Sequence, residues 1–342
     1  MAPPGAGPSS ACGPGSRGLA ALFHGGRLAA ARAEHPSAPE PWLDVSTGIN
    51  PDGWRGVRAP TTALTVLPDP AETAALEAAA ALAFGCEPDQ VAAVPGAEAG
   101  LRLLPGLLDV ARVAIAGPTY GSHADAWRQA RVTTTEIERS TLFQQPTDAL
   151  VVVNPNNPDG AMTPGVELVA AAGRRWLVID ESFVDTEPTM SAIPHLNERT
   201  VVLRSFGKFY CLPGLRLGFV VGSPELARRV RARTGDWPVS GDAIAMGCAA
   251  YADTAWALKT RASLVWDMER LDGLLTATSF TIVGGTPLFR LARYGDAKGR
   301  AWRLGEQGVL VRTFPHDPTL IRFGLPGRKN WRRLQAALEA SR

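Results

Sequence analysis

Short apolar runs alternate with alanine-rich stretches through the middle of the chain. The runs Val91–Val94, Val110–Ala116, Val132–Ile137, Ala149–Val153, Trp176–Ile179, Thr200–Arg204 and Leu215–Val221 read as β-strands. Several are apolar without alternation, as strands buried on both faces are. The helical stretches between them predict strand–helix–strand units. These imply an α/β fold, with a mostly parallel seven-stranded sheet flanked by helices. From Gly241 to about Leu275 the pattern is one long helical stretch. Two more β-type runs, Thr286–Leu291 and Leu320–Leu325, and a last helix from about Lys329 come after it. Together with Trp42–Val45 they predict a smaller α+β domain. The expected division is a large domain over 45–238 and a small one built from 17–44 and 239–342. Residues 1–16, rich in Pro, Gly, Ala and Ser, are expected to form a disordered tail.

Composition narrows the partners. The 342 residues are 45% hydrophobic and 20% charged, with a formal net charge of +2. One or two closely packed domains suit that length. No run of Lys and Arg implies a nucleic acid or an acidic membrane surface. No apolar stretch of about 18 residues predicts a membrane span, and no basic segment followed by an apolar run predicts a secretory signal. Cys12, Cys86, Cys211 and Cys248 are widely spread and form no CxxC, which points to reduced thiols in the cytoplasm. The five histidines show no metal-ligand spacing, so no metal is expected.

In parallel sheets of this kind ligands sit beyond the carboxyl ends of the strands. Three segments fall there: Asn154-Pro155-Asn156-Asn157-Pro158-Asp159-Gly160, Asp180-Glu181-Ser182-Phe183, and Ser205-Phe206-Gly207-Lys208 followed by Gly214-Leu215-Arg216-Leu217-Gly218. Singly each has a structural explanation. Asn-Pro-x-x-Pro-x-Gly makes a turn, an Asp after a strand caps the next helix, and a loop lysine is usually solvated. Jointly and in this order they point to chemistry. Ser205-x-x-Lys208 also fits the serine nucleophile motif of penicillin-recognising enzymes, but the accompanying Ser-Asp-Asn and Lys-Thr-Gly are missing. No P-loop occurs.

With these segments the chain resembles the fold type I enzymes that use pyridoxal 5′-phosphate (PLP), specifically the aminotransferase family, over roughly Trp42 to Leu338. The resemblance implies a role for each residue type. Lys208 is the amine that forms the imine with the cofactor. Asp180 keeps the pyridine nitrogen protonated, so that the ring can accept electrons. Asn157 donates to the ring hydroxyl oxygen, and Tyr120 stacks on the ring. Ser205, Arg216 and the backbone N–H groups of Gly96, Ala97 and Glu98, opening a helix, hold the cofactor phosphate.

Two subgroups look similar: histidinol-phosphate aminotransferases and the L-threonine-O-3-phosphate decarboxylases of cobalamin biosynthesis. The run Arg204 to Gly218, with Phe209-Tyr210 after the lysine and Pro213 before Gly-Leu-Arg, resembles the second. So do Phe183, where aminotransferases usually carry tyrosine, and the segments His24-Gly25-Gly26 and Ser46-Thr47-Gly48-Ile49-Asn50-Pro51. The implied substrate is a small phosphorylated amino acid. Arg322 matches the arginine that binds its carboxylate, whose planar fork suits a bidentate pair. Arg312 matches the one that meets its phosphate. His24, Gly48, Asn50 and Asn157 complete the expected substrate contacts. The implied reaction is decarboxylation to (R)-1-amino-2-propanol O-2-phosphate. Amino-group transfer is the alternative, and a non-catalytic binding protein ranks last because Lys208 is present. The resemblance also implies a homodimer with the active site at the interface. Leu67 stands where the family commonly has a tyrosine reaching the neighbouring subunit, and Asp159 and Gly207 replace the usual Thr and Ser or Thr.

Overall fold

The computed structural model describes residues 25–342. The 1–16 tail and His24 lie outside the described residues. A short strand, β1 (Leu43–Asp44), precedes the main sheet. That sheet contains β2 (Val91–Val94), β3 (Arg112–Gly117), β4 (Thr133–Glu138), β5 (Ala149–Val153), β6 (Trp176–Asp180), β7 (Thr200–Ser205) and β8 (Gly218–Val221). Their spatial order is β2-β8-β7-β6-β5-β3-β4. Only β8 runs antiparallel to its neighbours, β7 and β2.

Both faces of the sheet are covered. Along β2, Val91 and Ala93 enter one apolar cluster while Ala92 and Val94 enter the other. All five residues of β5 are buried, which is why its sequence shows no alternation. At the edge, β4 carries Thr and Glu and is mostly exposed, which blunts an otherwise sticky border.

Several boundaries differ from the sequence expectation. The run Leu215–Val221 is not one strand. Pro213–Leu215 form a 3-10 turn, Arg216 adopts a left-handed φ of 53°, and β8 starts only at Gly218. The long helical stretch is two helices, Gly241–Ala252 and Thr254–Ala277. Asp253 breaks it because its carboxylate accepts from the Trp256 backbone N–H at 3.0 Å, capping the second helix.

The remaining strands are β9 (Thr281–Thr286), β10 (Phe289–Arg293), β11 (Val309–Leu310), β12 (Arg312–Phe314) and β13 (Asp317–Gly324). Four form an antiparallel sheet, β12-β13-β10-β9, and β11 pairs in parallel with β1. The expected strand Thr286–Leu291 straddles the β9–β10 hairpin turn instead. This sheet meets the turn after β5 backbone to backbone. A Cβ on Gly160 would lie 2.0 Å from the Gly285 carbonyl oxygen, and one on Gly284 would lie 2.2 Å from that of Asp159.

Beneath the carboxyl ends of β6 and β7, the buried Arg204 lies 3.5 Å from Glu181, pairs with Asp185, and stacks over Phe84 at 4.3 Å. Without Asp185 the buried guanidinium keeps only the looser 3.5 Å contact with Glu181, and breaking a buried pair is strongly destabilising. Asp185→Ala is therefore expected to lower the unfolding free energy by about 3–5 kcal/mol in urea titrations. A loss below about 1 kcal/mol would show that the network is not held as described.

Candidate active site

Lys208 sits in the connection between β7 and β8, and aromatic anchors fix its position. Phe206, Phe209 and Tyr210 are buried on either side of it. The Phe206 and Tyr210 rings stack at 4.5 Å, and Tyr210 stacks on Trp256 at 5.4 Å. Gly207 is needed for close approach, since a Cβ there would lie 2.8 Å from Pro213 Cα. The loop is also tied down by Asn50. Its backbone N–H donates to the Lys208 carbonyl at 3.0 Å, and its Nδ2 donates to the Phe209 carbonyl at 2.9 Å. Its Oδ1 accepts from the Asp52 N–H at 3.0 Å. These bonds use one of the two Nδ2 hydrogens and fix the side chain beside the lysine loop.

Two cavities converge on Lys208. The first, about 170 Å³, is lined by Gly96, Ala97, Glu98, Asp180, Ser205 and Arg216. The second, about 310 Å³, is lined by Thr47, Gly48, Arg312, His316 and Arg322. Tyr120, Asn157, Phe183 and Lys208 border both. Every expected site residue inside the described range borders one or the other, except Asn50.

Asp180 ends β6 and is 5% exposed. Its Oδ1 accepts from the Ser182 N–H at 2.9 Å and from the Ser182 hydroxyl, and its Oδ2 lies 3.0 Å from His123 Nε2. Burial alone would raise its pKa. The hydrogen bond and charge of His123, with Ser182, outweigh that and hold it below the usual carboxylate range. The site therefore keeps a buried anion. His123 and Ser182 were not singled out in the sequence. The only available signal was their closeness to Tyr120 and Asp180, and pairing across 57 residues is invisible without the fold.

Arg216 occupies its left-handed conformation at a cost that ordinary loops avoid. That conformation brings its guanidinium against Gly96, where a Cβ would lie 2.5 Å from Nη2. Gly96, at φ 87°, precedes the helix Ala97–Leu103. Gly218 lets that helix settle on β8, since a Cβ there would lie 2.3 Å from Ala97 N. The result is a bare backbone cradle with a cation beside it. Tyr120 donates its hydroxyl to Glu98 Oε2 at 3.1 Å, and burial raises its pKa to about 12, so it stays neutral.

Lys208 Nζ lies 5.5 Å from the Phe183 ring centre. Burial, then the charge of Arg322, lowers its pKa to about 8 against the opposing pull of Asp180. An amine of that kind is largely neutral, hence nucleophilic, at mildly alkaline pH. The cofactor-free protein should capture an aromatic aldehyde at a rate rising about tenfold per pH unit and levelling near pH 8. Stopped-flow absorbance would measure this, and a profile still climbing at pH 10 would contradict it. Folding carries the same signature. Between about pH 8 and the ordinary lysine value of 10.5, the unfolded lysine keeps a proton that the folded one has released. The cofactor-free protein should therefore gain stability as pH rises through that window.

The second cavity is cationic. Arg312 on β12 and Arg322 on β13 are direct cross-strand partners. Arg322 is 6% exposed and, among the described residues, forms no salt bridge with a carboxylate. It donates through Nη1 to Asn157 Oδ1 and through Nη2 to the Ser46 carbonyl at 2.8 Å, while its Nε has no partner. Burial and Arg312 lower its pKa to about 9, and burial lowers that of Arg312 to about 10. Like charges facing each other across a ladder are destabilising. An anion between or beside them removes the penalty. Gly48 leaves room for Phe183, which borders this cavity, and for Phe289 packed behind it, since a Cβ there would lie 2.9 Å from Phe183 and 2.8 Å from Phe289.

The chain as a whole is similar to known proteins. The aminotransferase class I and II family model matches residues 57–338. The chain is 37% identical over 328 residues to a threonine-phosphate decarboxylase of Pseudomonas aeruginosa, spanning 93% of this chain and 97% of that protein. Its fold is similar to that of histidinol-phosphate aminotransferase from Sinorhizobium meliloti in complex with pyridoxal-5′-phosphate. There the TM-score is 0.78 at 19% identity, over 94% of this chain and 95% of that one. The L-threonine-O-3-phosphate decarboxylase from Porphyromonas gingivalis gives a TM-score of 0.73 at 20% identity, over 86% and 98%. At such identities the structural likenesses establish the fold alone, and it is the same fold for both activities.

The first cavity suits PLP on its own chemistry. Asp180 is a buried anion for a pyridinium, the Gly96 cradle and Arg216 offer donors to a phosphate, and Lys208 offers a low-pKa amine for an aldehyde. By sequence and by fold, the chain belongs to the PLP-dependent class I and II aminotransferase family.

Proposed function

We propose that the protein is a PLP-dependent carboxy-lyase that converts L-threonine-O-3-phosphate to (R)-1-amino-2-propanol O-2-phosphate, a step of cobalamin biosynthesis. One observation carries this reading: Arg312 and Arg322 stand opposite each other in a cavity that opens on Lys208. A substrate with both a carboxylate and a phosphate supplies an anion for each. The 37% identity to a protein named for this reaction, over nearly the whole chain, supports the same choice.

When bound, the cofactor accepts the electron pair released at the substrate Cα. The rest falls to the protein. Arg322 holds the carboxylate in its planar fork and so sets which Cα bond is aligned for cleavage. It cannot bind the carboxylate more tightly than the departing carbon dioxide requires without slowing the reaction. Arg312 takes the phosphate. Asn157, held at Oδ1 by Arg322, would offer its Nδ2 donors to the cofactor's ring hydroxyl oxygen. Phe183, backed by Phe289 in edge contact at 5.0 Å, presents an apolar face that keeps water from the reacting carbon. Lys208 Nζ returns a proton to Cα.

We also propose a homodimer with the active site at the interface. Val57, Leu64, Val66 and Leu67 are 66–76% exposed within one short segment, an apolar patch of the kind that a second copy covers. Sedimentation at the 36.2 kDa monomer mass would refute this. The three described cysteines are free, in keeping with the proposed cytoplasmic location, and among the described residues no helix is long and apolar enough to cross a membrane.

The decisive test is incubation of the holoenzyme with L-threonine-O-3-phosphate. Carbon dioxide release without any oxo-acid acceptor is expected. No carbon dioxide, with acceptor-dependent conversion of the cofactor to its amine form, would replace this reading with amino-group transfer.

A further inference from the structure

One group on the second cavity has been given no role. β12 and β13 are joined by a tight hairpin in which Phe314 pairs with Asp317, leaving Pro315 and His316 at the tip. Proline fixes φ at that tip and limits the directions the next side chain can take. The imidazole of His316 lines the cavity on the same hairpin as Arg312. The two are linked through Phe314, whose ring centre lies 5.5 Å from the Arg312 guanidinium carbon and 5.6 Å from the His316 ring. Phe314 is buried, so it is a fixed spacer, while His316 is exposed. Among the described residues His316 has no hydrogen bond or ion pair. Its neighbour Asp317 is already engaged by Thr319 and Arg293. A ring nitrogen at the mouth of a cationic cavity, with its donors unspent, suits the distal oxygens of an anion held inside by Arg312.

We infer that His316 is a second ligand for the substrate phosphate and makes the enzyme selective for phosphorylated over unphosphorylated amino acids. The inference rests on the decarboxylase reading above for the identity of the substrate, but not for the anion site itself. In this arrangement Arg312 supplies charge from the strand, and His316 closes over the phosphate from the hairpin tip. The carboxylate end and the reacting carbon are untouched by it.

The test uses the holoenzyme of the wild type, His316→Ala and His316→Gln. His316→Ala should raise the KM for L-threonine-O-3-phosphate about tenfold, the scale of one hydrogen bond to a charged group. Its kcat should stay within about twofold, because the lost contact is uniform binding. Glutamine retains an N–H donor and should recover most of the loss. Calorimetric binding of inorganic phosphate provides the readout that does not depend on turnover. Wild type should bind it, and His316→Ala should bind it about tenfold more weakly. An unchanged KM and unchanged phosphate affinity would overturn the inference, as would a fall in kcat that glutamine does not rescue. If the wild type releases no carbon dioxide, the decarboxylase reading fails by itself, and the phosphate titration still decides the role of His316.

Discussion

Lys208→Ala should abolish the reaction, lowering carbon dioxide release by roughly 10³-fold or more, because the anchoring amine and the proton donor are the same atom. The protein should still fold. The aromatic packing of Phe206, Phe209 and Tyr210 and the Asn50 bonds hold the loop without the lysine side chain. Cofactor should still enter, since Asp180, Arg216 and the Gly96 backbone are unchanged, but it should be lost on desalting and leave no mass on the protein after borohydride treatment. A borohydride-fixed cofactor on the alanine variant would refute the assignment of Lys208. Added methylamine offers a finer check: partial rescue would separate the chemical role of the amine from any effect of its charge on Arg322.

The second large effect is expected at Arg322. Replacing it with leucine removes the fork proposed to hold the substrate carboxylate. Truncating one partner of a buried, hydrogen-bonded charge pair costs about 2–5 kcal/mol, or roughly 30- to 3,000-fold in kcat/KM. Because orientation is lost along with binding, kcat should fall as well as KM rise. Arg322→Lys keeps the charge but not the planar geometry, and should fall between the two. The product lacks a carboxylate, so its inhibition constant should change far less than the substrate KM. Equal changes in both would mean that Arg322 meets some other part of the ligand.

Much of this was legible in the chain because parallel-sheet chemistry collects at strand ends. Asn157, Asp180 and Lys208 each follow a run that became a strand, in the expected order. Arg216 was found for a family reason. Its physical cause, a left-handed residue brought against the bare backbone of Gly96, needed coordinates. Asn50 shows the opposite case. Its neighbours predicted a ligand contact, while its hold on the lysine loop, an Nδ2 bond across 159 residues of sequence, needed coordinates. His123 failed to register for a related reason: a histidine becomes informative only through its partner, and Asp180 is 57 residues away. The broken helix at Asp253 was missed because apolar content continues across it, while the cap depends on one carboxylate.

The glycine seam between β9 and the turn after β5 has a mechanical meaning. At Gly160 against Gly285 and Gly284 against Asp159, main chain touches main chain with no side chain to act as a cushion. Such a joint has almost no slack. The turn carrying Asn157 and the β9–β10 hairpin must travel together, so any opening of the site has its fulcrum elsewhere. Arg322 grips that same Asn157 from β13, which doubles the linkage at this edge. Pro315 and His316, at the β12–β13 hairpin tip, line the cavity from the opposite edge of the same sheet. Adaptation to a longer or shorter substrate is therefore expected through changes in Pro315 and His316, with the seam left as it is.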